Sequence, residues 1–315
     1  MQKIFYGAPG TGKSFTIDEE IKNNSVSDER VFRTTFHPEY SYSDFIGQLL
    51  PTVKKNTGDA DSTITYEFNK GIFTRALEKA YEDTSKEVYL ILEEMSRGNC
   101  AAIFGDVFQL LDRENAGLDK GYSRYFINNE MLSKDIIALK DDKVKLPANL
   151  SIYGTVNTSD QNVFTMDTAF KRRFDWEYVS TRPVPVSKPY INNVDISLKD
   201  KNDADVNLSW IDLYGVLNKF ISDSRWLDLG EDKQLGQFFI QFESNDPLKN
   251  KDKIKNKLLQ FLWDDIHKIA YKSDVKLFCD EVRNFADLYD RYNEDKQIFS
   301  STFLDCIELW NNGNL

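Results

Sequence analysis

Short apolar runs punctuate the first half of the chain, the one at Val88–Leu92 unbroken. They occur at Ile4-Phe5-Tyr6, at Val88–Leu92 and at about Leu150–Val156. Such runs are too short for buried helices and lack the alternation of a half-exposed strand, so they read as parallel strands covered on both faces. Between them the period changes. In "NCAAIFGDVFQLLDRE" (99–114), Ile103, Val107, Leu110 and Leu111 recur at helical spacing, and Asn99 is placed to cap the start. One more strand is expected from about Phe174 to Val179. Strands alternating with helices predict an α/β fold, a parallel sheet wrapped by helices, over residues 1–180.

Two stretches interrupt that rhythm. In "PTVKKNTGDADSTITYEFNKG" (51–71), Thr63 to Phe68 alternates and predicts a hairpin strand within a surface insertion. In 120–147 aromatic and basic residues mix, but Asp135, Asp141 and Asp142 dilute the charge, which favours packing or partner binding over stacking on a nucleic-acid strand. Residues 181–206 carry three prolines amid polar residues and read as a linker or hinge. From 207 to 315 the pattern is mainly helical, with Ile254, Leu258, Leu262, Ile266 and Ile269 marking one apolar face of a smaller helical domain.

The first strand leads into Gly7-Ala8-Pro9-Gly10-Thr11-Gly12-Lys13-Ser14, a complete G-x-x-x-x-G-K-S. Glycines let backbone N–H groups turn inward around phosphate oxygens, and the following helix adds its N-terminal partial charge. Lys13 is placed to reach the β- and γ-phosphates and the Ser14 hydroxyl to ligate Mg²⁺. The strand at Val88–Leu92 ends in Glu93-Glu94. Glu93 is the candidate second metal ligand, one methylene longer than the aspartate usual there, and Glu94 the candidate that orients the attacking water.

At the end of the 150–156 strand stands "NTSD", Asn157 to Asp160. It looks like the box with which small GTP-binding proteins read guanine. Arg172-Arg173 follow a dozen residues later, before a further strand. That order fits a ring-forming NTPase better, with Asn157 sensing the γ-phosphate and positioning water, Asp160 close by, and an arginine reaching a neighbouring subunit's nucleotide. The guanine-reading alternative stays open on these residues alone.

Composition narrows the classes. The net charge is −11, so a duplex-binding surface would need clustered bases, and "KNKDKIKNK" (249–257) is broken by Asp252. Cys100, Cys279 and Cys306 are distant and odd in number, which fits a reducing cytoplasm better than a disulfide framework. With His37 and His267 the only histidines, a His-rich zinc site is excluded. No apolar run approaches the length of a membrane span, and the N-terminus carries no signal-peptide pattern.

Four separated segments, "TTFHPEYSYSDFIGQL" (34–49), "GIFTRALEKA" (71–80), "LILEEMSRGNCAAIFGDVFQLLDRE" (90–114) and "GTVNTSDQNVFTMDTAFKRRFDW" (154–176), resemble the McrB family of AAA+ NTPases in family order. The resemblance covers about residues 1–180. It implies an AAA+ P-loop NTPase core followed by a smaller helical lid, and a ring, expected to be a hexamer, that hydrolyses GTP with Mg²⁺. It also implies a McrC-like nuclease subunit as partner in DNA restriction and antiviral defence, with DNA read by other domains or subunits. By the same resemblance Asn157 and Asp160 match the catalytic signature and Arg172 and Arg173 the trans-acting pair. "QLGQFFIQ" (234–241) has Gln237 where the family carries a histidine, which puts a second sensor there in question. GTP over ATP is an expectation from the family. The rival readings are an ATP-dependent MoxR- or dynein-like protein remodeller and a nucleotide-gated scaffold.

Overall fold

The structure, a computed structural model, describes residues 1–55, 62–134, 136–139, 141–159, 164–184, 192–200, 202–243, 246–270 and 274–314. The chain falls into two compact units. One comprises Met1–Tyr6 and Lys13–Tyr178, the other Gly7–Gly12 and Val179–Leu315.

The first unit is built on a five-stranded sheet. In chain order the strands of the whole protein are β1 Gln2–Gly7, β2 Val31–Thr35, β3 Gly47–Lys55, β4 Ser62–Lys70, β5 Val88–Glu93, β6 Ile127–Asn128, β7 Lys143–Val144, β8 Leu150–Asn157, β9 Asp175–Tyr178, β10 Asp195–Lys199 and β11 Asp205–Ser209. The central sheet runs β2-β5-β8-β1-β9. The pairs β2–β5, β5–β8 and β1–β9 are parallel. The apolar runs account for this order. Val88, Leu90, Leu92, Leu150, Ile152 and Ile4 are all fully buried, so β5, β8 and β1 must lie inside the sheet with helices on both faces. The β9 strand is exposed at all four residues, as an edge strand can be.

Helices Lys13–Asn23 and Ile72–Glu82 belong to this unit. The stretch expected as one helix over 99–114 is instead an α-helix at Cys100–Phe104 followed by 3₁₀ winding over Gly105–Leu111. Gly105 sits at φ +51 where the winding changes. Asn99 does cap it, its side chain accepting from the Ala102 N–H, and Ile103, Val107, Leu110 and Leu111 are buried. In the first interruption, β3 and β4 pair antiparallel as a two-stranded ribbon; residues 56–61 lie outside the described residues. In the second, Ile127, Leu132, Ile136, Val144 and Leu146 join the unit's core, so that stretch packs.

In the second unit the linker expectation for 181–206 gives way to structure. β10 and β11 form an antiparallel hairpin with Ile196 opposite Leu208 and Leu198 opposite Val206. Ile196, Leu198 and Leu208 enter the core with Trp210, Leu213, Leu217 and Phe220 of helix Trp210–Ser222. The proline-rich residues 185–191 lie outside the described residues. Further on, Ile254, Leu258, Leu262 and Ile266 are buried, whereas Ile269 is half exposed. In an α-helix each four-residue step drifts by about 40°. Winding over Ile254–Leu259 and Leu262–His267 is of the wider π type, which turns less per residue and drifts the opposite way, and Ile269 falls beyond its end.

Candidate nucleotide site

Within the first unit three polar residues come together off the carboxyl ends of β5 and β8, where open α/β sheets bind ligands. Ser14, on the first turn of helix Lys13–Asn23, donates its hydroxyl to Glu93 Oε2 at 3.0 Å. Thr155 donates to the same oxygen at 2.6 Å. The other oxygen, Oε1, accepts from Arg33 Nη1 at 2.7 Å, and Arg33 also pairs with Asp18. Glu93 is thus held from two sides.

The next residue turns the chain. Glu94 is in the left-handed region, φ 55 and ψ 44, a conformation that costs a side-chain-bearing residue about 1–3 kcal/mol and persists where neighbours fix it. Its N–H donates to Thr155 Oγ1 at 3.0 Å. Its carboxylate accepts from Asn157 Nδ2 at 2.9 and 2.8 Å and lies 3.4 Å from Arg97 Nε. Asn157 therefore meets the second acid of the pair, and Ser14 the first.

The oxygen set at Ser14 and Glu93 suits a hard cation. Mg²⁺ takes few protein ligands and completes its shell with water and phosphate oxygens, and a hydroxyl beside one carboxylate oxygen matches that demand. Among the described residues there is no cluster of three or more His, Cys, Asp or Glu that would cage a metal by itself. Lys13, expected from the sequence to reach the phosphates, is 8 % exposed.

The six residues Gly7–Gly12, which precede Lys13, group with the second unit. Their carbonyls are capped there: Gly236 N–H donates to Pro9 O at 2.9 Å and Phe238 N–H to Gly10 O at 2.8 Å. Thr11 Oγ1 donates to Ala8 O at 3.0 Å. Gly10 and Gly12 have φ +77 and +92, which glycine adopts without strain. Gln237, at the position where a second sensor was in question, is 2 % exposed. It accepts from the Val184 N–H at 2.9 Å and donates to Asn192 O at 3.4 Å, so its amide is spent on backbone.

The two arginines separate. Arg173 pairs with Asp112 at 2.6 Å, donates to Ala169 O at 2.8 Å and lies over the Phe108 ring at 4.0 Å. Arg172 is exposed. Both precede β9, whose Asp175 pairs with Lys3 near the start of β1, so they sit at the amino end of the sheet, opposite the carboxyl-end acids. Asp160 lies outside the described residues. Sequence reading missed Arg33 and Thr155. Thr155 had a signal available, since it shares a strand face with Asn157 two residues on. Arg33 had none, because its contact with Glu93 is made across the neighbouring strand.

A glycine-rich loop ending in Lys-Ser, an acidic pair on β5 and a polar-ended β8 in this strand order define a P-loop NTPase of the AAA+ type. The family description "AAA domain (dynein-related subfamily)" matches residues 3–174, and the chain belongs to that family as a McrB-like AAA+ NTPase. It is similar to the protein described as type II restriction enzyme BsuMI component YdiS of Bacillus subtilis (strain 168), 34 % identical over 95 % of this chain and 87 % of that one. It is also similar to the type IV methyl-directed restriction enzyme EcoKMcrB subunit of Escherichia coli (strain K12). There the identity is 26 % over 55 % of this chain, and the match spans 34 % of that protein. Among the described residues no helix is long and apolar enough to cross a membrane.

Proposed function

We propose that this chain is the nucleotide-hydrolysing ring subunit of a McrB-like DNA restriction system, acting on GTP with Mg²⁺ and working beside a nuclease subunit. The observation that carries the reading is the pairing of Ser14 with Glu93 and of Asn157 with Glu94 at adjacent strand ends. In this reading Gly7–Ser14 holds the triphosphate, and Lys13 neutralises charge on the β- and γ-phosphates. Ser14 and Glu93 would hold Mg²⁺, which when bound would supply positive charge to the transferring phosphoryl group. Glu94 takes up the proton side of the attacking water, with Asn157 fixing its carboxylate and sensing the γ-phosphate; Asp160 is assigned beside them on sequence alone. The amino-end position of Arg172 and Arg173 supports action on a neighbour's nucleotide, and the exposure of Arg172 makes it the one able to reach. The restriction assignment and the nuclease partner rest on the two similar proteins, and GTP on the McrB resemblance.

Turnover measured across protein concentration tests the ring: activity per chain should collapse on dilution to monomer while nucleotide binding persists. Full turnover by dilute monomer would sink the trans arginine. The dynein-related description of the family favours, as second reading, an ATP-driven remodeller. Parallel titrations with GTP and ATP separate the two.

A further inference from the structure

We propose that Thr155 is a positioning residue for hydrolysis, one hydroxyl that sets both acids of the pair. The inference deepens the NTPase reading and rests on it. Thr155 is 3 % exposed, and its Oγ1 makes two bonds at once, donating to Glu93 Oε2 at 2.6 Å and accepting from the Glu94 N–H at 3.0 Å. A hydroxyl has one proton and two lone pairs, so both bonds coexist. The first aims the oxygen that also faces Ser14. The second anchors the backbone at the point where the chain enters the left-handed region, φ 55, and so fixes the direction in which the Glu94 side chain leaves.

The strand geometry makes the arrangement stepwise. β5 and β8 are parallel neighbours whose last register pair is Leu92 with Gly154. Beyond it, Thr155 and Asn157 project on one face, as residues two apart in a strand do. The first meets Glu93 and the backbone of Glu94, the second the Glu94 carboxylate. Ser14 and Arg33 face Glu93 from other elements, the helix after the phosphate loop and β2. Thr155 bonds to both the Glu93 carboxylate and the Glu94 backbone, and so couples the two acids. It touches no substrate in this reading and acts through the carboxylates.

The test uses the full chain and four proteins: wild type, Thr155→Val, Thr155→Ser and Glu94→Gln. Valine keeps the shape and removes the hydroxyl; serine restores the hydroxyl and removes the methyl. Turnover is measured with GTP and with ATP, and binding of fluorescent GTP and ATP analogues is titrated with Mg²⁺. Misplacement of a catalytic group costs about 10²-fold, so Thr155→Val should lose kcat by that factor with KM little changed. Its Mg²⁺ midpoint for nucleotide binding should rise, and Thr155→Ser should return both values to near wild type. Thr155→Val matching wild type in kcat and Mg²⁺ midpoint overturns the proposal, as does Thr155→Ser being equally impaired, which would assign the effect to the methyl. If Thr155→Val does not fold, Thr155→Cys, close in size with a weak hydrogen-bonding group, takes its place in the same comparison. Wild type that binds nucleotide yet turns over neither GTP nor ATP sinks the hydrolysis reading instead, while the Mg²⁺ midpoint still judges the hold of Thr155 on Glu93.

Discussion

Both units spend buried polar side chains on backbone, Gln2, Ser123 and Asn149 in the sheet unit among them, but the sheet unit adds a second use. In the sheet unit, Ser14, Arg33, Thr155 and Asn157 bond to the carboxylates of Glu93 and Glu94, side chain to side chain. In the helical unit, Asn192, Asn218, Gln237 and Asn250 bond to backbone. Asn218, for one, both donates to Leu235 O and accepts from Leu235 N–H, each at 2.7 Å. Asn250 does the same for Glu243, and Asn192 ties Gln237, Ile240 and Phe242. Amides spent on backbone hold loops that no regular ladder satisfies. Side chains spent on acids leave charge gathered at one place, which is a chemical arrangement rather than a structural one. The contrast teaches where substitutions should change rate and where they should change stability.

The largest effect expected is at Arg172. Removing an arginine that acts in trans costs about 10³–10⁵ in rate, so Arg172→Ala should abolish turnover while melting as wild type does. Mixing it with Lys13→Ala, which cannot engage its own nucleotide, should restore partial activity if the two defects complement across subunits. Glu94→Gln should lose about 10²–10⁴-fold in kcat and retain nucleotide binding, measured with a fluorescent analogue. On the other side of the comparison, Leu217→Ala in the helical unit should cost about 2–5 kcal/mol, read by denaturant unfolding. Arg173→Ala sharpens the contrast within one dipeptide. It breaks a charged contact with Asp112 and should cost about 1.5–3 kcal/mol of stability, so a pure rate effect there would break the distinction drawn here. The smallest effect concerns the thiols. Burial pushes Cys100 and Cys306 up to about 12, so both should resist a thiol reagent at pH 8 until the protein unfolds.

Much of the site could be read from the chain because its parts are local. Gly7–Ser14 is one contiguous loop, and Glu93-Glu94 and Asn157 each end an apolar run. Arg33 and Thr155 escaped because their meaning lies in contacts 60 and 62 residues away with Glu93. Arg172 and Arg173 look alike in sequence, and only packing against Phe108 and Asp112 divides them. In the fold, the parallel sheet followed from buried runs. The hairpin β10–β11 did not, since its turn is rich in Asp and Asn and its flank in proline, and those signals outweighed the alternation of Ile196 and Leu198. The switch to 3₁₀ winding after Phe104 turns on Gly105, a single residue within a pattern that otherwise continues.

Gly10 and Gly236 face one another within the second unit. A methyl on Gly10 would fall on the backbone of Phe238 and Phe239, and one on Gly236 on the backbone of Gly10 and Thr11. Each clash is with main chain, so no neighbouring side chain can be shortened to make room. A randomised library spanning both positions should therefore return glycine at each, with no compensating pairs. That would set this junction apart from the apolar interiors of either unit, where volume lost at one site can be recovered at the next.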